Sequence, residues 1–431
     1  MQNSSGGGYI DAQVWPRIAE IPDSFKVRWR ARAVEAEFAA ACAKAGLRFD
    51  GENPDLVVLE EALFARIADA GWLGLAESFM AGEWESENLV TVLSRLLEVG
   101  YQPKASITNI RAAYNGLEIS PALVRLTAMD SMSSHGTLFS SGVPTTERIA
   151  IKSFVPGAGR GNEPAHHFVD DTTFSDPTIT ERADLADAQM RSVLMLLDAA
   201  KVTRGTHVLD FPASTPALAL AATERGATVD NLTADAELAT DMREILAAAG
   251  LSGEVHVELL DSPMPTPRSW PTHYDAVISI EKLEHMGAKA RRAYAKTLDR
   301  MLVTGGRAAI QSMVAVTGFE ELTRQTLSVA QAYLWPDFQL STVTEIHRLF
   351  DVYTGLRVVS QTHIGSHHMR GVSLQREIFE GRLREAAAEG FDAVYRRLWL
   401  FYLSMLEALY HVGALDTVQC TVTVRNRRGR R

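Results

Sequence analysis

Cysteine is nearly absent: the 431 residues carry two, Cys42 and Cys420, far apart in the chain. A disulfide framework is therefore not expected, and a metal site made of cysteine alone is excluded. No apolar run approaches the roughly 18 to 20 residues that span a bilayer. Met1 to Gly8 has neither a basic stretch nor an apolar one, so it does not read as a signal peptide. Basic excess is missing as well. The formal net charge is −10, which argues against a general nucleic-acid binder. The exception is the end of the chain, Arg425 to Arg431, with five arginines in seven residues. It reads either as a solvated terminus or as a contact to anionic lipid, worth about 1 kcal/mol per arginine near the surface. The expected compartment is the cytoplasm, with peripheral attachment to the inner face of the membrane. What is present is a hydrophobic fraction of 46%, ample for a large core, in a chain long enough for two to three domains.

The pattern changes along the chain. Residues 1–20 are expected to be disordered. Residues 21–128 form a small N-terminal domain in which Phe25 to Ala45, Leu59 to Ala70 and Leu89 to Val99 have helical apolar spacing. Residues 129–164, rich in Ser, Gly and Pro, read as a linker or mobile loop. From 165 to 425 helix and strand alternate. Strands are expected at His207 to Phe211, Ala227 to Asn231, Val255 to Leu260, Tyr274 to Ile280, Arg307 to Val314, Leu356 to Thr362 and Val418 to Val424. Such alternation predicts a mostly parallel sheet with helices on both faces, and ligands on such sheets bind at the carboxyl ends of the strands. A basic tail, 426–431, follows.

The loop Ser279-Ile280-Glu281-Lys282-Leu283-Glu284-His285-Met286-Gly287 closes a buried strand. Phe391-Asp392-Ala393-Val394-Tyr395-Arg396-Arg397-Leu398-Trp399-Leu400-Phe401-Tyr402-Leu403 gives an aromatic-rich helix near the end. Both stretches resemble the cyclopropane fatty acid synthase and mycolic acid cyclopropane synthase family. So does Leu75 to Trp84, which is similar to a stretch in the N-terminal domain of full-length members. The resemblance implies a class I methyltransferase, Rossmann-like α/β fold with a helical lipid-lining cap and a smaller N-terminal α+β domain. It implies S-adenosylmethionine-dependent methyl or methylene transfer to the double bond of unsaturated fatty acyl chains, on phospholipids, giving cyclopropane or methyl-branched products. Expected partners are the unsaturated phospholipid or acyl substrate and a transient membrane surface. A homodimer is compatible with the sequence; nucleic acid and a bound metal are not expected.

The first strand continues Asp210-Phe211-Pro212-Ala213-Ser214-Thr215-Pro216, where the family it resembles has a glycine-rich turn. Glycine allows positive φ and close backbone approach, whereas two prolines remove two donors and fix φ. Asp210, Ala213, Ser214 and Thr215 are read as a rebuilt cofactor turn, kept open by small side chains. Thr233 and Glu237 match family positions after the second strand. Asp230 or Asp235 is an acceptor for ribose hydroxyls, with a helix N-cap as the other role for Asp235. Asp261, after the third strand, matches an acidic residue near the adenine, and Gln189 matches the family's Ala-Gln helix.

Methylating an alkene requires alignment with an electrophilic methyl group, stabilisation of a carbocation and a base. Family members hold a bicarbonate for that purpose, and here its retention is doubtful. Glu284 matches the family glutamate. Asp176 replaces a cysteine, Gln311 replaces a histidine, and either His368 or Arg370 falls at a tyrosine site. Asp176 beside Glu284 would repel an anion or raise one carboxyl pKa, so Asp176 itself is read as replacing bicarbonate, as the base or as the carbocation stabiliser. His166 and His167 are expected in a loop over the pocket. The alternative is a catalytically degenerate homologue that binds lipid or supports a partner, having lost the cofactor.

Overall fold

The structure is a computed structural model and describes residues 10–49, 53–107, 109–116, 142–160, 163–177, 185–213 and 215–425. The basic tail 426–431, the Ser131 to Ser141 part of the linker and Ser214 lie outside the described residues. The chain divides into two compact units. One comprises residues 1–127, 317–338 and 372–415; the other comprises 128–316, 339–371 and 416–431. This differs from the continuous domain expected over 165–425, because the C-terminal helix belongs with the N-terminal segment.

The first unit is helical. Phe25–Lys44, Ala62–Ala70, Trp72–Ala81, Leu89–Glu98 and Ala393–His411 are its longer helices. Ser24 caps the first of them by accepting from the Val27 amide, the role that favours serine at a helix start. Phe38, Tyr101 and Trp72 stack edge to face, with centroids 5.7 Å and 5.5 Å apart. A close approach at Gly74 accounts for glycine there: an added Cβ would lie 1.9 Å from the Arg66 carbonyl oxygen. Strands β1 (Val57–Val58) and β2 (Trp84–Glu85) form a short antiparallel pair.

Residues expected to be disordered are partly ordered. Trp15 is 1% exposed, its indole N–H donates to Asp392 at 2.6 Å, and Pro16–Ala19 forms one helical turn. Arg66 is buried and donates to Glu83 and to the carbonyls of Arg17 and Ile18. Buried Glu77 accepts from Arg17 and from the Tyr333 hydroxyl. The Leu75 to Trp84 stretch thus holds a polar core whose charges are paired, as buried charges must be.

The second unit is built on a nine-stranded sheet. Its strands are β3 (Pro144–Lys152), β4 (His166–Phe174), β5 (His207–Asp210), β6 (Thr228–Thr233), β7 (Val255–Leu259), β8 (Tyr274–Ile280), β9 (Leu302–Ala315), β10 (Leu356–His363) and β11 (Leu415–Val424). They lie in the order β3-β4-β10-β11-β9-β8-β5-β6-β7. β5 through β9 pair in parallel, and β11 runs antiparallel to β10.

Alternation along the strands produces two cores. Val208, Ala276 and Ile278 pack on one face with the helices Leu185–Ala199, Pro216–Glu224 and Ala236–Ala248. Leu209 and Val277 pack on the other with Ala288–Met301 and Val343–Tyr353. A period of two puts successive residues on opposite faces, and a sheet covered on both faces reads as a nearly continuous apolar run. The expected mostly parallel, doubly covered sheet is the one observed.

The hairpin β3–β4 corrects two expectations. Pro144–Lys152 was assigned to the linker, and it is a strand. His166 and His167 were assigned to a covering loop, and they open β4, paired with Lys152 and Ile151. β4 then runs parallel to β10. Arg425, counted with the basic terminus, is buried and donates to the Thr354 carbonyl and Asp351.

Candidate active site

The carboxyl ends of β5, β6, β8 and β9 converge on the site. Asp210 ends β5, fully buried, between Asn231 of β6 and Ile278 of β8. The chain then turns. The Phe211 amide donates to Ile278 and the Ala213 amide to Leu232, at 3.1 Å and 2.8 Å. Thr215 caps the next helix by accepting from the Ala217 amide, and Pro216 occupies the first turn of that helix. The missing proline donor therefore falls where a helix has no intrahelical acceptor for it. Ala213 and Thr215 are buried, so they pack the turn.

Thr233 ends β6, and its hydroxyl accepts from the Asp235 amide at 3.1 Å. Asp235 is an N-cap: one carboxylate oxygen accepts from Glu237 and Leu238, both at 3.0 Å. Asp230 sits earlier on β6 and is occupied by the Tyr274 hydroxyl at 2.6 Å and by His207 at 3.2 Å. Asp261 is exposed just past β7. Gln189 is buried one helical turn before Ser192. The Gln189 Oε1 and Asn231 Oδ1 acceptors, both buried, have no hydrogen-bond donor among the described residues.

Glu281 follows β8, with its amide still donating to the Gln311 carbonyl of β9. Its φ is +52°, a left-handed conformation that costs a non-glycine residue about 1–3 kcal/mol. The side chain is buried. Gln311 Nε2 donates to its Oε1 at 2.8 Å, and His368 Nδ1 lies 3.5 Å from the same oxygen. Gln311 is held in turn, since its Oε1 accepts from Ser192 at 3.1 Å and from Gln419 of β11 at 2.8 Å.

Glu284 lies in the next turn, 1% exposed. It accepts from the Met313 amide at 2.9 Å and from the Ser312 hydroxyl at 3.0 Å. It does not cap the helix Ala288–Met301, whose N-cap Gly287 carries no side-chain bond. Burial, then the charge of Glu281, pushes the Glu284 carboxyl up to about 7. Burial lowers the Lys282 ammonium, against the pull of Asp210, Glu281, Glu284 and Asp235. Burial also lowers His368, and it holds His285 near 3.

The carboxylate acting on Glu284 is thus Glu281, where Asp176 was expected. Asp176 is exposed beyond the end of β4. Of the two candidates on the helix Gly365–Gly381, His368 meets Glu281. Arg370 is two residues on, about 200° around the helix axis, and half-buried. The residues that sequence reasoning left without a role are Glu281, Lys282, Ser192, Ser312 and Gln419. Glu281 and Lys282 were visible in the loop, and their charge at the end of an apolar strand was the available signal.

Comparisons with known proteins bear on the family and the fold. The family model described as mycolic acid cyclopropane synthetase matches residues 168–420. A tuberculostearic acid methyltransferase, UfaA1 of Mycobacterium tuberculosis (strain ATCC 25618 / H37Rv), is 29% identical over 96% of both chains. The cyclopropane synthase MmaA2 from Mycobacterium tuberculosis superposes with a TM-score of 0.51 at 19% identity, over 56% of this chain and 86% of its own. The mycolic acid cyclopropane synthase CmaA1, solved with SAH and CTAB, gives 0.50 at 18% identity over the same shares. The two structural likenesses establish the class I methyltransferase fold, and by the match over most of the second unit the chain belongs to the mycolic acid cyclopropane synthetase family.

Proposed function

We propose that the chain transfers the methyl group of S-adenosylmethionine to a double-bond carbon of an unsaturated fatty acyl chain carried on phospholipid. The observation that carries this reading is the buried set Glu281, Gln311 and His368, beside the rebuilt turn after β5. The relative named for tuberculostearic acid supports a fatty acyl chain as the methyl acceptor.

The residues fit the cofactor. Two buried acceptors, on Gln189 and Asn231, have no donor among the described residues, and the charges of Asp210, Glu281, Glu284 and Asp235 act on the Lys282 ammonium. A ligand with sulfonium and ammonium charges and ribose hydroxyls matches such a site. Asp210, Gln189, Asn231, Thr233 and Asp261 would hold it, over a floor of Ala213 and Thr215. When bound, it supplies a methyl group activated for attack. Bicarbonate does not fit: both ends of the Gln311 amide are committed, and Glu281 already places a carboxylate beside them.

With the cofactor bound, the alkene π electrons would form the new carbon–carbon bond as the methyl carbon–sulfur bond broke. The acyl carbocation then loses a proton of the added methyl, directly to close a cyclopropane or, after a 1,2-hydride shift onto the cationic carbon, to leave a methylene branch. His368, kept neutral by burial, accepts that proton, and the Glu281 carboxylate stabilises the imidazolium. Glu284 ties the loop to β9 through Ser312 and Met313. Membrane surface contact brings the lipid-borne acyl chain within reach; no described helix is long and apolar enough to cross a membrane.

The test is product analysis of an unsaturated phospholipid incubated with the cofactor. His368→Gln should lower turnover at least about a hundredfold, the scale of general-base catalysis, with calorimetric cofactor binding unchanged and Asp176→Ala retaining activity. Full turnover by His368→Gln would remove the base from the mechanism. Absence of cofactor binding by the native protein at millimolar concentration would overturn the methyltransferase reading.

A further inference from the structure

We infer that the first three turns of the helix Phe25–Lys44 are a docking surface for anionic phospholipid membrane. This deepens the substrate reading above and rests on it for its purpose, but its evidence is separate. Phe25 is 80% exposed, Trp29 75% and Ile21, just before the helix, 55%. Phe25 and Trp29 are one turn apart, so they share a face. The opposite face carries Val27, Val34 and Phe38, all buried. The aromatic face is therefore turned outward by packing, and no ring contact engages either side chain among the described residues.

Charge selects the occupant. Residues 25–34 hold Lys26, Arg28, Arg30 and Arg32 and no acidic residue, in a chain of net charge −10. Lys26, Arg28 and Arg32 are exposed. Arg28 reaches back to exposed Asp23 at 3.2 Å, and Arg30 is turned to Ser106 and the Lys104 carbonyl. Glu35 and Glu37 follow only beyond the patch. Exposed Phe and Trp ringed by Lys and Arg are the composition of helices that lie in the membrane interface, where Trp concentrates. A second copy of the chain is the poorer occupant. A symmetric contact sets the same patch against itself, which brings these cations face to face.

The experiment is flotation of the full chain with phosphatidylcholine vesicles, with and without phosphatidylglycerol. The native protein should bind the anionic vesicles and bind phosphatidylcholine alone at least about tenfold more weakly. Phe25→Ser with Trp29→Ser should weaken anionic-vesicle binding at least about tenfold, because two exposed apolar anchors are removed. Lys26→Gln with Arg32→Gln should do the same only where phosphatidylglycerol is present. Both variants should keep the native thermal unfolding, cofactor binding and turnover of detergent-dispersed phospholipid. Native-level vesicle binding by the aromatic variant overturns the inference. So does a shift from dimer to monomer in sedimentation with vesicle binding unchanged, since the patch is then a protein contact. Absence of turnover in detergent by the native chain would instead sink the substrate reading and leave the vesicle result standing.

Discussion

Glu284 makes the stability of the second unit depend on pH in a direction opposite to that of an ordinary paired carboxylate. Its carboxyl is raised from 4.5 to about 7, by burial first and by Glu281 second. The folded protein therefore keeps this proton to higher pH than the unfolded chain does. Stability contributed here falls as pH rises from about 4.5, and the loss is complete above about 7. At about 1.4 kcal/mol per pH unit, it amounts to roughly 3 kcal/mol. Glu284→Gln removes the titration while preserving the local bonds. Its carbonyl oxygen accepts from Met313. Ser312 can accept from the new amide, because its hydroxyl also bonds the Met313 carbonyl. The variant should equal the native protein in stability near pH 4.5 and exceed it by roughly 3 kcal/mol near pH 8. A chain of two units need not unfold in one step, so the assay is hydrogen exchange of peptides covering β8 and β9 across a pH series. A difference that stays constant with pH, or grows toward acid, refutes the reasoning.

Glu281→Gln removes the charge that helps raise Glu284. In the same pH series the stability slope should still begin near pH 4.5, the unfolded value, and end at lower pH, while burial keeps that end above 4.5; an unmoved upper end would show that Glu281 is not coupled to Glu284. In the first unit, Arg66→Ala leaves Glu83 buried without its partner, and three carbonyl acceptors lose a donor. The expected loss is about 3–5 kcal/mol, read as a lower urea midpoint, and a change under about 1 kcal/mol would mean that solvent replaces the guanidinium.

The parts of the fold legible in the sequence are those with a buried face. Tyr274–Ile280 was bounded correctly to the residue because six of its seven positions are buried. Its neighbour β9 starts five residues before Arg307, because Leu302 already pairs with Tyr274 and an irregular stretch of the ladder follows before Arg307 pairs with Ala276, which apolar periodicity does not register. β3 is exposed along nearly its whole length, and β4 buries only Val169. Strands with so little burial leave no apolar alternation to read, so the hairpin reads as linker and loop. In the site, Glu284, Asp176, Gln311, His368 and Arg370 were all named by resemblance. Glu281 was not, because its role comes from a left-handed φ that turns its carboxylate toward β9, and φ is not written in residue type.

The loss of glycine after β5 and the placement of Glu281 belong to one electrostatic argument. A glycine-rich turn holds a ligand through backbone amides. Here the Ala213 amide is spent on Leu232, Thr215 spends its hydroxyl on Ala217, and Pro216 has no amide to offer. On the function proposed above, recognition would rest on side-chain acceptors and carboxylates among the described residues: Asp210, Gln189, Asn231 and the acids that act on Lys282. Such a site favours the cationic sulfonium over the neutral thioether that remains after transfer. By linkage, the part of that preference that is gone in the transition state works against the rate. What restores it is a carbocation forming close by, because the positive charge then stays under the influence of the same carboxylates. The Glu281 carboxylate acts on the Lys282 ammonium, and its Oε1 lies 3.5 Å from His368 Nδ1. With Glu281→Gln, cofactor affinity and turnover should therefore fall together. Loss of turnover with undiminished affinity would confine Glu281 to the proton step.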